Sequence, residues 1–287
     1  MSAATQLART PPTGGAPGGA GELIRAWRRR RGMSQSALAG AAGVSSRHLS
    51  FVETGRASPS RALVAQLCEA MQLPLRERNA VMLAAGFAPL FGERELDEEA
   101  MRPARDALSR ILLAHEPFPA LLLDGRWNIR AANRAARILC RVPSPELLRR
   151  PNLIRLVVHP DGLAPRVVNF GQWSASLLAR LARTAAATGD RGAEALLAEC
   201  ARLPGVEWDA HTRAVPAGEP LLVHRLRSED GGMVLSLFSA VTSFSDANDV
   251  VLSDLSVEAF HPADDLTREF LQRAAAQPGA SAGKPGS

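Results

Sequence analysis

The segment that begins at Gln35 carries residues at the spacing that two short packed helices and a tight turn require. A small residue, Ala39, stands four positions on, and Gly43 stands eight positions on, where the turn needs a backbone that tolerates positive φ. Leu49 and Val52 follow fourteen and seventeen positions on, where apolar side chains seal one helix against the other. Two helices joined by a short turn with glycine form a helix-turn-helix. The spacing therefore predicts a DNA-binding unit.

The residues around this motif predict a bundle of five helices. Leu23, Ile24 and Trp27 form the apolar stripe of the first helix. The predicted boundaries are a stop at Gly32, N-caps at Ser34 and Ser45, Ser58 or Ser60 as the N-cap of the fourth helix, and Pro74 and Gly86 at the two ends of the fifth. The N-terminal part of the chain is thus expected to be all-α.

Charge separates this part from the rest of the 287-residue chain. Residues 1–92 contain 11 arginines and 4 glutamates, a net charge of +7, whereas the remainder contains 23 basic and 25 acidic residues, a net charge of −2. A small basic unit that is joined to a larger and nearly neutral one suggests that the first unit meets a polyanion.

The third helix is expected to lie in the major groove, with the face opposite Leu49 and Val52 toward the bases. Arg47 on that face can form a bidentate contact with guanine. The predicted DNA-binding residues are Gln35, Ser45, Ser46, Arg47, His48, Ser50, Arg56 and Arg61. Of these, Gln35, Arg56 and Arg61 are expected at phosphates.

Two features of this unit leave alternatives open. Phe51 either contacts a thymine methyl group or packs against the fourth helix, and we favour packing. The run Arg28–Arg31 is either a solvated helix face or a second set of DNA contacts.

Several short motifs of the N-terminal part are familiar. They are Met33-Ser34-Gln35, Leu38-Ala39, Ala42-Gly43-Val44-Ser45 and Glu53-Thr54-Gly55-Arg56. Over about residues 22–76 the chain resembles the Cro/C1-type (XRE family) helix-turn-helix regulators. The stretches 47–53 and 75–79 are more narrowly similar to the MmyB-like bacterial regulators. This resemblance implies that a PAS-like ligand-binding domain follows the DNA-binding domain.

Composition suggests how the chain divides. Pro11 to Gly21 contains eight Pro or Gly residues in eleven, which favours disorder. We expect a disordered tail over 1–20, a helix-turn-helix domain over 21–92, a ligand-binding domain over 93–273 and a second disordered tail over 274–287.

The pattern after residue 92 predicts helices mixed with strands. The expected elements are a helix over 101–115, strands over 119–123 and 127–130 joined by Asp124-Gly125, a helix that begins at once at Ala131, helices over 166–188 and 191–203, strands over 221–226, 233–242 and 250–260, and a helix over 265–275. This order predicts an α+β fold with an antiparallel sheet. A hairpin that runs straight into a helix resembles the opening of a PAS fold.

A second set of motifs extends the family resemblance to about residue 272. It comprises Asn152-Leu-Ile-Arg-Leu156, His159-Pro-Asp161-Gly162, Pro165-Arg166-Val-Val-Asn169 with Trp173, and Phe260-His261-Pro262-Ala263-Asp264. These stretches are similar to the ligand-binding domain of the MmyB-like regulators. The resemblance implies a sensor pocket, with fatty-acid-like molecules as the suggested class of ligand.

Six large apolar residues of this part are candidates to line a cavity between sheet and helices. They are Leu122, Trp127, Phe170, Trp173, Leu177 and Phe238. The alternative, that they form an ordinary core, fits the same pattern.

The sequence holds little that suggests catalysis or a metal. His159 and Asp161 fall in His-Pro-Asp-Gly, which is more simply a turn. The histidines and cysteines show no ligand spacing, and neither a phosphate loop nor G-x-S-x-G occurs. Cys68, Cys140 and Cys200 are expected as reduced, mostly buried thiols, and we expect no cofactor.

These observations predict a one-component bacterial transcription regulator that is not an enzyme. Its partners would be a double-stranded DNA operator, a small apolar ligand such as a fatty acid and a second copy of the chain in a homodimer. No apolar run is long enough to cross a membrane, and a cytoplasmic protein is expected, associated with the nucleoid when bound to DNA. The alternative is a regulator whose C-terminal domain is a protein-interaction or dimerisation module without a small-molecule ligand.

Overall fold

The structure is a computed structural model that describes residues 19–140, 142, 144–209, 220–244 and 247–276. The chain divides after Phe91 into two compact units. The tails expected over 1–20 and 274–287 lie outside the described residues except for 19–20 and 274–276. The domain bounds 21–92 and 93–273 stay predictions.

Over its described residues, 19–91, the N-terminal unit contains five helices, as the sequence predicts. They are α1 (Ala20–Arg30), α2 (Gln35–Ala41), α3 (Ser46–Glu53), α4 (Arg61–Ala70) and α5 (Leu75–Ala84). Ser34, Ser45 and Ser60 cap α2, α3 and α4, each with its hydroxyl accepting a hydrogen bond from the backbone N–H three residues on. Ser60, not Ser58, is thus the N-cap of the fourth helix. Ile24, Leu38, Leu49, Val64 and Leu67 lie at the centre of one core.

The C-terminal unit contains a five-stranded antiparallel sheet. Its strands are β1 (Ala120–Leu123), β2 (Ile129–Ala132), β3 (His224–Arg227), β4 (Val234–Ser243) and β5 (Ser256–Pro262), in the order β2-β1-β5-β4-β3. The sheet is accompanied by the helices α6 (Arg102–Ala114), α7 (Arg137–Cys140), α8 (Pro145–Arg149), α9 (Leu153–Val158), α10 (Phe170–Thr188), α11 (Arg191–Cys200), α12 (Val250–Ser253) and α13 (Asp265–Ala276). The fold is therefore α+β.

Both faces of this sheet are covered. Leu121, Leu123 and Phe260 face the larger core, which α9, α10 and α11 complete. Leu122 and Val257 face the opposite way, into a smaller core with Leu108 and Leu112 of α6. Successive side chains of a strand point to opposite faces, so a strand that is buried on both sides reads as an unbroken apolar run.

Three of the differences between the structure and the predicted elements concern where an element begins. The expected strand over 250–260 begins with α12, because the Asp249 carboxylate accepts a hydrogen bond from the Val251 N–H and caps a helical turn. Ala131 belongs to β2, and the helix after it begins only at Arg137. The helix expected over 166–188 begins at Phe170, after a 3-10 turn over Ala164–Arg166.

Among the described residues, no helix combines the length and the apolar content that crossing a bilayer needs.

Candidate nucleic-acid interface and ligand site

The turn between α2 and α3 has the geometry that the sequence spacing predicts. Gly43 lies at φ +66°, in the left-handed region that favours glycine. The Val44 N–H donates to the Ala39 carbonyl at 2.9 Å, and Ala39 is buried. The small residue and the glycine together let the two helices approach closely at the turn.

α3 separates its apolar and polar residues onto two faces. Leu49 and Val52 are 0% and 1% exposed, whereas Ser46, Arg47 and His48 are exposed and Ser50 is half-buried. Ser45 caps the helix, with its Oγ 3.1 Å from the His48 nitrogen. The exposed face therefore offers a guanidinium, an imidazole and hydroxyls from one rigid helix.

Gln35 at the start of α2 has a protein partner that the sequence did not suggest. Its Nε2 donates to Glu53 Oε2 at 2.8 Å, and Arg28 donates to the same carboxylate through Nε at 2.6 Å and Nη2 at 3.0 Å. Glu53 is 3% exposed. Burial alone would raise the pKa of this carboxyl, but the hydrogen bonds from Arg28 and Gln35 outweigh it and hold the pKa below its usual value.

Some arginines of the run Arg28–Arg31 bind other parts of the protein, so the run is neither a fully solvated face nor a fully free set of DNA contacts. Arg28 is buried on Glu53, and its Nη1 also donates to the Met33 carbonyl. Arg31 donates to the carbonyls of Met71 and Gln72, at the end of α4. Two of the four arginines thus hold helices together, a role that neither sequence interpretation contained.

The remaining predicted DNA contacts are exposed. Arg56 follows Gly55, which turns the chain at φ +72°, and Arg61 is the first residue of α4. Phe51 is half-buried, and the Arg47 guanidinium carbon lies 5.5 Å from the centre of its ring. Phe51 thus has a contact one turn back along α3, which neither alternative for this residue included.

The six candidate pocket residues do not share one face of the sheet, and their role as a pocket lining stays a prediction. Trp127, Trp173 and Leu177 lie in the larger core, with Phe170 packed against it. Leu122 lies in the core on the opposite face, and Phe238 stacks on His261 at 5.1 Å. Alternation along the strand decides which face of the sheet each side chain occupies. Because every residue of β1 is apolar, its sequence does not show which residues face which core.

Two buried polar side chains of the C-terminal unit were not predicted from the sequence. Glu258 of β5 is 1% exposed and accepts hydrogen bonds from Arg180 of α10 at 2.8 and 3.0 Å. His224 of β3 is 6% exposed and stacks on Trp173 with ring centres 4.5 Å apart. The alternation in β3 places His224 on the same face as the buried Leu226, so a signal for its burial was present.

His224 is unusual because its Nδ1 is buried without a hydrogen-bond partner in the described part of the chain. Burial, together with the positive charge of Arg180, lowers the pKa of His224 to about 4. The ring is therefore neutral at physiological pH, and the core around it holds one unsatisfied polar atom.

The described residues bring no three His, Cys, Asp or Glu side chains together as a metal-binding set. His159 and Asp161 lie in a turn, where the Asp161 N–H donates to His159 Nδ1. Cys68 and Cys200 are buried, and burial raises the pKa of their thiols to about 11 and about 12. The side chain of Cys140 lies outside the described part of the chain.

Comparison with known proteins gives two family matches. Residues 104–274 match the MmyB-like transcription regulator ligand binding domain, and residues 20–81 match a helix-turn-helix domain. No curated protein matches the chain significantly.

Two kinds of solved structure are similar to parts of the chain. The clp gene regulator ClgR from C. glutamicum is 31% identical over 23% of this chain and 83% of its own, with a TM-score of 0.21. An RNA-binding Light-Oxygen-Voltage receptor is 10% identical over 89% of this chain and 62% of its own, with a TM-score of 0.26.

Proposed function

The chain belongs to the MmyB-like transcription regulators, and from this membership we propose a one-component regulator that binds a specific DNA operator through α3. Its N-terminal unit is a helix-turn-helix DNA-binding domain, and a ligand-binding-type domain follows it. Both matches point to a transcription regulator rather than an enzyme. We further propose that the C-terminal domain takes up a small apolar molecule, of which a fatty acid is one example.

The observation that carries the operator proposal is the division of α3 into two faces. Leu49 and Val52 fix the helix to the core, while Ser46, Arg47 and His48 remain exposed on the other side. A recognition helix that enters the major groove needs this arrangement, because its anchoring residues must not move when the opposite face meets the bases.

We assign roles by the chemistry of each side chain. Arg47 has the planar fork that guanine recognises in the major groove, and Ser46, His48 and Ser50 offer hydrogen bonds to base edges or phosphates. Arg56 and Arg61 supply charge for phosphates on either side. Ser45 remains a proposed DNA contact and Gln35 a proposed phosphate contact, and one amide hydrogen of Gln35 is already donated to Glu53.

Regulation requires that ligand and DNA favour different states of the protein. We propose a homodimer that presents two recognition helices to half-sites one helical turn apart. The ligand changes operator occupancy only insofar as it binds the DNA-competent arrangement with a different affinity from the other arrangement. A cytoplasmic location, with nucleoid association on DNA, follows from this proposal.

The operator proposal is tested by binding measurements on selected DNA. Operators are selected from a random double-stranded pool with the full-length chain, and affinities are measured by fluorescence anisotropy. Arg47→Ala should weaken binding by about 1–3 kcal/mol and relax the preference at one base pair. Arg61→Ala should weaken binding to all sequences similarly and reduce the salt slope by about 1.

Arg110→Ala provides the matched control, since it removes an exposed arginine from α6, outside the helix-turn-helix. It should leave both affinity and base preference as in the wild type. An Arg47→Ala protein with unchanged affinity and unchanged base preference would contradict the assignment of α3. Native mass spectrometry of the same preparation tests the proposed ligand. A retained small mass supports it, and a retained polypeptide other than a second copy of this chain contradicts it.

A further inference from the structure

A buried carboxylate lies directly behind Gln35, the first residue of α2. Glu53, the last residue of α3, is 3% exposed, and its Oε2 accepts a hydrogen bond from Gln35 Nε2 at 2.8 Å. Gln35 itself is half-buried. Its amide group thus meets a protein partner on one side, and part of the side chain stays accessible from outside.

The carboxylate decides which way the amide of Gln35 points. Burial opposes the ionisation of Glu53, but the hydrogen bonds from Arg28 and Gln35 hold its pKa below the usual value. An ionised carboxylate only accepts hydrogen bonds, so it binds the NH₂ end of the amide and excludes the flipped orientation. The second hydrogen of Nε2 and the carbonyl oxygen Oε1 are not used in this contact.

Arg28 neutralises the charge that would otherwise oppose DNA at this place. Its Nε and Nη2 donate to the two oxygens of Glu53 at 2.6 and 3.0 Å, so the pair is bidentate and neutral as a whole. A bare carboxylate behind Gln35 would repel a phosphate, whereas the paired carboxylate holds the amide without that repulsion. Arg28 also donates through Nη1 to the Met33 carbonyl at 2.8 Å, two residues before α2 begins.

A side chain that is already fixed binds more tightly than one that must be ordered on binding. Glutamine is among the side chains with the most rotamer freedom to lose. Immobilising such a side chain at an interface lowers the affinity by about twofold to tenfold. For Gln35, the contact with Glu53 brings this ordering about on folding and not on DNA binding.

We propose that Glu53 is a positioning residue for the DNA contact of Gln35, and that Arg28 keeps Glu53 in place. The buried pair fixes the Gln35 amide with its second Nε2 hydrogen available to a DNA phosphate, while Glu53 itself touches no DNA. The inference rests on the proposed function, because it states how one of the proposed phosphate contacts is prepared before DNA arrives.

Nuclear magnetic resonance of the free full-length chain tests the positioning without DNA. The order parameter of Gln35 Nε2 should be about 0.85, the value of a rigid backbone, whereas that of Gln66 Nε2 should be below about 0.6. Gln66 is the control because it is an exposed glutamine of the same unit, on α4. A Gln35 amide as mobile as that of Gln66 would overturn the proposal.

The link to DNA is tested by replacing the whole pair, with Arg28→Met and Glu53→Met in one variant. Exchanging a buried ion pair for apolar residues of similar size is often neutral for stability. At Gly21 a Cβ atom would collide with the Val52 carbonyl, so the backbones of α1 and α3 also meet directly, without the pair. The exchange leaves the net charge unchanged, since it removes one positive and one negative group.

Anisotropy titrations with the selected operator compare this double variant with the wild type. The double variant should bind about twofold to tenfold more weakly. In a Gln35→Ala background the same exchange should leave the affinity unchanged, because the pair acts only through Gln35. The salt dependence should stay that of the wild type, because a neutral amide releases no counterion. Gln66→Ala, the matched control, should bind like the wild type.

Two results with DNA would contradict the proposal. One is equal weakening by the pair exchange with and without Gln35→Ala, which would mean that the pair supports the helices and not the amide. The other is a Gln35→Ala protein that binds the operator as tightly as the wild type. If circular dichroism shows the double variant to be unfolded, the order parameter of Gln35 in the wild type decides alone.

The failure of the proposed function looks different. A wild-type chain for which no operator can be selected would contradict operator binding itself, and the positioning proposal with it. A wild-type chain that binds its operator but fails the order-parameter test or the comparison of backgrounds would contradict only the role of Glu53.

Discussion

Each unit of this protein buries one glutamate almost completely and pairs it with an arginine. In the N-terminal unit, Glu53 meets Arg28, whose side chain is only 10% exposed, and Gln35 adds a third donor. In the C-terminal unit, Glu258 meets Arg180, which is 26% exposed and lies against a cavity. The first pair is shielded from solvent and links α1, α2 and α3. In the second unit, His224 Nδ1 is buried without a hydrogen-bond partner among the described residues.

The largest expected effect comes from Glu53→Gln. It leaves the Arg28 charge buried without a counter-charge, so the free energy of unfolding of the N-terminal unit should fall by about 3–5 kcal/mol. Native-state hydrogen exchange of the α1 and α3 amides in the full chain measures it. Glu69→Gln, which removes a 72% exposed partner of Arg78, should cost less than about 1 kcal/mol. Equal losses in the two variants would contradict the difference between buried and exposed pairs.

The second effect is the pH dependence that His224 imposes on the C-terminal unit. Its folded pKa of about 4 lies below the ordinary value of 6.5, so the unfolded chain takes up the proton first as the pH falls. The stability linked to this neutral ring is fully present above about pH 6.5 and is lost as the pH falls toward 4. The full loss is about 3 kcal/mol, since each pKa unit corresponds to about 1.4 kcal/mol.

Urea unfolding of the wild type and of His224→Phe at several pH values isolates this contribution. The variant keeps a ring between Trp173 and Phe260 but has no titrating nitrogen. It should lose less stability between pH 7 and pH 5 than the wild type. Parallel losses in the two proteins would show that His224 does not carry the effect.

The third effect is that of Glu258→Gln, the counterpart of the Glu53 substitution. The Arg180 side chain is a quarter exposed, so its guanidinium can be hydrated when Glu258 is neutralised. Its contact with the Trp127 ring does not depend on Glu258. We expect a loss of about 2 kcal/mol, smaller than that of a fully enclosed pair. Hydrogen exchange of the β5 amides measures it. A loss as large as that for Glu53→Gln would remove the distinction between the two units.

What could be predicted from the sequence follows the same division. Ser34, Ser45 and Gly43 act within a few residues of their own position. The helix caps and the turn of the N-terminal unit could therefore be predicted from the sequence. The side of the sheet that Leu122 faces depends on which helix covers it, which no local pattern states.

The two buried ion pairs could not be predicted either, because their partners are far apart in the sequence. Arg180 and Glu258 are 78 positions apart, and Arg28 and Glu53 are 25 apart. Neither spacing carries a periodic signal, so only the fold reveals the partners. The exposed face of α3 could therefore be predicted in more detail than the side of the sheet on which each candidate pocket residue lies.

The smallest effect concerns the ordering of Arg47 by Phe51. The ring lies one turn along α3 and contacts the guanidinium, so it restricts the rotamers of the side chain that we assign to the bases. Phe51→Leu should weaken operator binding by about 0.5–1 kcal/mol, whereas Phe51→Trp, which retains an aromatic face, should restore most of the affinity. Anisotropy titrations with the selected operator, made alongside Arg47→Ala, measure both. If Phe51→Leu weakens binding equally in the Arg47→Ala background, Phe51 acts on the helix as a whole and not through Arg47.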